Sequence, residues 1–209
     1  MIAVIDYGMG NLRSVQKALE HVGAKVIVTQ DPNLIISADS IVLPGVGAFK
    51  DCMANLTQLN LVDPIRKFID GGKPFLGICL GLQVLFEESE EYGPVAGLGV
   101  LPGKVVKFAS ASSETKGGPP IKIPHMGWNN IEVKKKVPLF DKLDAEPYFY
   151  FVHSYYVVPD DQSIVATVTN YGVEFVSGIQ YKNIYAFQFH PEKSQTMGLS
   201  LLERFSNLN

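Results

Sequence analysis

The chain has 209 residues, 46% of them apolar, with 18 basic and 21 acidic side chains and a formal net charge of −3. That size and apolar content suit one globular domain spanning 1–209 with a sizeable core. The charge balance gives no electrostatic reason to expect nucleic acid or an anionic membrane as partner. No apolar stretch approaches the roughly 20 residues a membrane span needs, and Asp6 interrupts the N-terminal run too early for a signal peptide. Two cysteines, Cys52 and Cys79, make a disulfide framework implausible and fit a reducing, cytoplasmic setting.

The first third alternates strand and helix signals. Ile2 to Ile5 reads as a buried strand, followed by a helix that Asn11 caps and Gly23 closes, with Leu12, Val15, Leu19 and Val22 on one face. Strands are expected at Lys25 to Thr29, Ser40 to Leu43 and Phe75 to Ile78, with a helix at Val62 to Ile69 ending at Gly71-Gly72. Beyond Gly99 the texture turns to short β-rich runs, at Val105 to Phe108, Asn130 to Val133 and Tyr148 to Val152. More follow at Ile164 to Val168, Phe175 to Gln180 and Ile184 to Phe189, before a last helix over Leu199 to Phe205. This order predicts an α/β fold with a mostly parallel central sheet flanked by helices and extended by antiparallel strands. The Ser-, Gly- and Pro-rich segment 109–120 reads as a surface loop.

Two segments carry chemistry. In Gly77-Ile78-Cys79-Leu80-Gly81-Leu82-Gln83 a cysteine follows an apolar strand at a strand-to-helix corner. Pushing a nucleophile out at such a corner cramps the backbone, and Gly77 and Gly81 remove the Cβ atoms that would collide with neighbouring elements. The corner also aims the Leu80 N–H and a helix N-terminus at the thiol, which favours a thiolate and any oxyanion formed beside it. Gln83, four residues on, shares the helix face of Cys79. A lone cysteine is most often a small buried hydrophobe; Cys52, without such a setting, keeps that reading.

The second segment is Phe189-His190-Pro191-Glu192. On an extended segment, residues two apart share a face, so Glu192 can fix the tautomer of His190 while the other ring nitrogen turns to the thiol. Pro44-Gly45-Val46-Gly47 ends a strand where parallel sheets bind ligands, and its N–H groups can complete an oxyanion hole. The paired glycines let those peptides rotate. The other histidines are weaker candidates: His153 as a second base or, preferably, a packing residue, His125 as a neighbour of the site, and His21 as a helix-end cation. Gly8-Met9-Gly10 lacks the third glycine of a dinucleotide-binding fingerprint, since Arg13 occupies that place. His190-Pro191-Glu192 is not followed by the Pro-Cys-x-x-Cys of zinc deaminases, and no metal-ligand spacing occurs elsewhere.

The cysteine corner together with His190-Pro191-Glu192 resembles the class I (triad) glutamine amidotransferases. Within that class the flanking segments resemble the glutaminase subunits of imidazole glycerol phosphate synthases, over nearly the whole chain. These segments are Asp6-Tyr7-Gly8-Met9-Gly10-Asn11-Leu12, Pro44-Gly45-Val46-Gly47-Ala48-Phe49, Pro124-His125-Met126-Gly127-Trp128-Asn129 and Phe189-His190-Pro191-Glu192-Lys193-Ser194. The resemblance implies Cys79 as nucleophile, His190 as general base then acid, and Glu192 as its orienter. It implies an oxyanion hole from Leu80 and the Gly45-Val46-Gly47 strand end. Gln83 and Glu91 would hold L-glutamine, with main chain at His153, Ser154 and Tyr155 taking its α-carboxylate. It further implies no cofactor and a (β/α)8-barrel cyclase partner that receives ammonia in histidine biosynthesis, with Asn11, Trp128 and Lys193 near the interface. Two alternatives share the triad: a glutaminase serving another synthase, and a γ-glutamyl hydrolase or cysteine peptidase.

Overall fold

The computed structural model describes residues 1–109, 121–141, 143 and 146–208. The expected loop at 109–120 lies, beyond Ala109, outside the described residues. Strands β1 (Ile2–Ile5), β2 (Val26–Thr29), β3 (Ser40–Gly45) and β4 (Phe75–Cys79) alternate with helices α1 (Leu12–His21), α2 (Pro32–Ser37), α3 (Phe49–Gln58) and α4 (Val62–Asp70). A single helical turn, α5 (Leu80–Gln83), leaves the end of β4. Strands β5 (Phe86–Ser89), β6 (Val95–Ala96), β7 (Leu101–Lys107), β8 (His125–Asn130), β9 (Glu132–Val133) and β10 (Tyr148–His153) follow. The chain then forms β11 (Tyr155–Pro159), β12 (Val165–Tyr171), β13 (Val173–Tyr181), β14 (Ile184–Phe187) and α6 (Gln195–Ser206).

The main sheet runs β2-β1-β3-β4-β14-β13-β11-β7-β5-β6, with β12 and β9 paired off β13. Its first five strands are mutually parallel, and antiparallel pairing begins at β14–β13, as expected for this α/β class. Among the parallel strands, alternate side chains enter different cores. Ala3, Ile5, Ile41 and Leu43 pack with Phe49 and Leu56 of α3 and Ile65 and Phe68 of α4. Ile2, Val4 and Val42 pack with Val15 and Leu19 of α1 and Leu201 and Phe205 of α6.

Helices α2 and α3 and strands β5, β6 and β11 are not among the expected elements, and some expected features differ. Asn11 precedes α1, but its side chain makes no capping bond; only its carbonyl accepts, from the Val15 N–H. The run Asn130 to Val133 is broken, because β8 begins at His125 and pairs with β10 as a two-stranded ribbon outside the main sheet. His190 and Glu192 do not lie on one extended segment: Pro191–Lys193 is a 3-10 turn that His190 enters. Proline at the first position of that turn has its φ already set for it.

Register fixes what meets at the C-terminal edge of the parallel strands. Gly45 pairs with Cys79, and Ile78 pairs with Phe187, so the ends of β3, β4 and β14 lie side by side. Ligands bind at this edge in open parallel sheets.

Candidate active site

Cys79 sits between β4 and α5 with φ 55° and ψ −105°, a left-handed backbone that a side chain rarely adopts. Packing holds it there. A Cβ on Gly77 would lie 2.5 Å from the Gly81 carbonyl oxygen, and one on Gly81 would lie 1.9 Å from the Leu43 oxygen of β3. Only glycines let the one-turn helix fold back so closely on strands β3 and β4. Leu80 opens α5, so its N–H has no partner inside the helix and is available to a ligand at the thiol.

His190 arrives from β14 and is held at both ends of its backbone. Its N–H donates to the Tyr150 carbonyl at 2.9 Å, and its carbonyl accepts from Ser194 Oγ at 2.6 Å. Its Nδ1 lies 2.8 Å from Glu192 Oε1, with both side chains almost fully buried. A carboxylate only accepts, so Nδ1 carries the proton and Nε2 is left for the sulfur. Burial alone opposes the imidazolium; the adjoining Cys79 and then Glu192 outweigh it and push His190 up to about 10. The buried Nε2 has no hydrogen-bond partner, so it is free to exchange a proton with the adjoining sulfur or a bound substrate.

Beside the thiol is a cavity of about 430 Å³. It brings together Val46, Gly47, Cys79, Leu80, Gln83, Glu91, His153, Ser154, Tyr155 and Lys193 of the sequence-derived candidates. Gly45 lies beneath it, where a Cβ would sit 2.6 Å from Leu80 Cβ, and Gly47 turns the chain with φ +97°. Glu91 Oε2 accepts the Phe49 N–H at 2.6 Å, tying the start of α3, and with it the turn at Gly47, to the cavity wall. Gln83 uses its Nε2 on the Tyr155 carbonyl and on Gln188 Oε1, both at 3.0 Å, which leaves Oε1 for a ligand.

Asn11 and Trp128 do not line this cavity. Trp128 is 48% exposed on β8, edge-on to Tyr150, and the Lys193 ammonium lies 5.7 Å above that tyrosine ring. Met126, at 62%, and Tyr148, at 49%, are also exposed on the ribbon. Cys52 lies on the buried face of α3, and burial pushes its thiol up to about 12, as suits an inert packing residue. Among the described residues, no group of three or more His, Cys, Asp or Glu side chains converges as a metal-ligand set. No helix among them is long and apolar enough to cross a membrane.

The other two buried histidines form a directional chain. The Tyr155 carbonyl accepts from His153 Nδ1 at 2.8 Å, so His153 Nε2 must accept from His125 Nδ1 at 2.9 Å. His125 Nε2 in turn accepts from the Asn129 amide at 3.2 Å. Both nitrogens of His153 are occupied, which argues against its acting as a second base. Burial pushes His125 down to about 4 and His153 down to about 3. Both lie below the unfolded value near 6.5, so their stabilisation is complete above that pH and erodes as pH falls toward the folded values. Urea unfolding between pH 6.5 and 5 is expected to lose up to about 1.4 kcal/mol per pH unit per histidine. In His125→Phe about half of that slope should disappear; an unchanged slope would contradict neutral burial.

Similarity to known proteins gives the family. The family model described as glutamine amidotransferase class-I matches residues 3–207. The imidazole glycerol phosphate synthase subunit HisH of Syntrophotalea carbinolica is 53% identical over 208 residues, covering 100% of both chains. That of Aquifex aeolicus is 56% identical over 203 residues, covering 97% of this chain and 94% of its own. PurLQS from Thermotoga maritima shares the fold with a TM-score of 0.73 at 18% identity, over 99% of this chain and 97% of that one. The chain belongs to the class I glutamine amidotransferases and, within them, to the HisH family of imidazole glycerol phosphate synthase subunits.

Gln188 escaped the sequence reading. It is fully buried after β14, with Nε2 3.6 Å from Cys79 Sγ. In sequence it is one polar residue inside the run Ile184 to Phe189, and no spacing rule marks it.

Proposed function

We propose that this chain hydrolyses L-glutamine through a thioester on Cys79 and delivers the ammonia to a (β/α)8-barrel cyclase. The observation that carries the reading is Cys79, strained at its corner, facing a buried His190–Glu192 pair beside a cavity of about 430 Å³. The sulfur attacks the side-chain amide carbon of glutamine. The Leu80 N–H and the Gly45-Val46-Gly47 strand end stabilise the oxyanion, and His190 protonates the leaving nitrogen. His190 then takes a proton from water, which attacks the thioester and releases glutamate. Gln83 Oε1, Glu91 and the main chain at His153, Ser154 and Tyr155 hold the amino-acid end. Trp128 and Lys193, with Asn11 at the start of α1, border the face proposed for the cyclase. The partner turns the ammonia and its nucleotide substrate into imidazole glycerol phosphate, in the cytoplasm.

The test is turnover of free glutamine by the full chain mixed with a ligand-loaded barrel cyclase, against turnover of γ-glutamyl peptides. Glutamine alone should be consumed; hydrolysis of the peptides instead would identify a γ-glutamyl hydrolase. The roles also rank two variants. Glu192→Ala should cost about 10²–10⁴-fold in kcat, because an orienter is lost while nucleophile and base remain. Cys79→Ala should cost more. Equal losses in folded variants would contradict the assignment.

A further inference from the structure

We infer that Gln188 is a further catalytic residue, whose side-chain N–H holds the Cys79 sulfur in its anionic form. This rests on the reading of Cys79 as nucleophile. The Tyr155 carbonyl can only accept. It therefore requires Gln83 to present Nε2, at 3.0 Å. The second hydrogen on that nitrogen goes to Gln188 Oε1, also at 3.0 Å. With its oxygen committed, Gln188 has Nε2 as its remaining group, and that nitrogen stands 3.6 Å from Cys79 Sγ. One backbone carbonyl thus sets the orientation of two amides and ends the chain in a donor aimed at sulfur.

The donor is placed to discriminate between two states of the thiol. As S–H, Cys79 has the Val152 carbonyl as an acceptor at 4.0 Å, a weak contact. Once the proton has gone to His190, the sulfur is an acceptor, and a fixed N–H is worth more to an anion than to a thiol. Gln188 is 0% exposed, so water does not compete for that contact. Gln83 at 5% exposure is nearly as enclosed, which keeps the chain in one arrangement. The same carbonyl belongs to Tyr155 at the start of β11, which lines the cavity with His153 and Ser154, so the chain of amides joins the cavity wall to the nucleophile.

The experiment compares wild type, Gln188→Met and Gln83→Met as full chains. Methionine keeps the length of glutamine and removes the donor. Two quantities are read: the rate of alkylation of Cys79 by iodoacetamide at pH 7, located by peptide mapping, and glutamine turnover with the cyclase partner. In Gln188→Met, alkylation and kcat should each fall about tenfold or more, with KM for glutamine little changed and ammonia-driven cyclisation by the complex intact. Gln83→Met should slow alkylation less, because Gln188 remains but its orientation is released. Wild-type alkylation in Gln188→Met would overturn the inference, as would parallel loss of ammonia-driven cyclisation. Should Gln188→Met fail to fold, Gln83→Met decides alone: slower alkylation supports the inference, and an unchanged rate overturns it. Glutamine turnover surviving in Cys79→Ser would instead sink the nucleophile assignment itself.

Discussion

Replacing Cys79 by serine or alanine is expected to abolish glutamine-dependent cyclisation by the complex while leaving ammonia-dependent cyclisation in place. Serine preserves the shape of the corner, so the loss cannot be assigned to packing. Its hydroxyl is almost never ionised near neutral pH and is a far weaker nucleophile than a cysteine sulfur. The fall should be at least about 10³-fold, close to the limit of detection. Ammonium salt at raised pH supplies free ammonia that reaches the partner without passing through the triad. The assay therefore uses both nitrogen sources with the same assembled complex. Failure with ammonia as well would mean that Cys79 supports the partner's chemistry. Persistence with glutamine would remove it as nucleophile.

The second large effect concerns the partner. The isolated chain is expected to be a poor glutaminase that a cyclase loaded with its nucleotide ligand activates about a hundredfold, a coupling of roughly 2.7 kcal/mol. Val46 is flanked by Gly45 and Gly47, and Gly47 already occupies φ +97°, so its peptides can change orientation at low steric cost. Glu91, bonded to the Phe49 N–H three residues beyond Val46, ties the turn to the substrate cavity. Glutamine turnover by the lone chain, then with empty and loaded cyclase, measures the coupling. Full activity of the lone chain, unmoved by the loaded partner, would contradict it.

Much of the site was legible because its chemistry imposes a local pattern. The corner at Cys79 needs glycines on both sides for steric reasons that act within a few residues, and Gly81, with Leu43 oxygen 1.9 Å from its missing Cβ, shows how tight the demand is. Glu192 was legible by its spacing from His190, although the segment turns as a 3-10 helix where an extended one was expected. The parallel half of the sheet was readable for the same local reason, as short buried runs ending in turn residues. Helix α3 is not among the expected elements although Phe49, Cys52, Met53 and Leu56 follow a helical spacing. The ribbon of β8 and β10 depends on pairing across 18 to 28 residues, and single segments do not show which sheet a strand joins. Gln188 and the His125–His153 pair acquire meaning only from neighbours distant in sequence, Cys79 and Tyr155 among them.

The central claim is a covalent one, and trapping the intermediate tests it most directly. The full chain with its loaded cyclase, mixed with glutamine and quenched in acid within a turnover, is digested and its cysteine peptides are weighed. The account predicts a glutamyl thioester on the peptide carrying Cys79, absent from Cys79→Ser and absent from the peptide carrying Cys52. Steady release of glutamate and ammonia with no adduct on Cys79, or an adduct on any other residue, would contradict it.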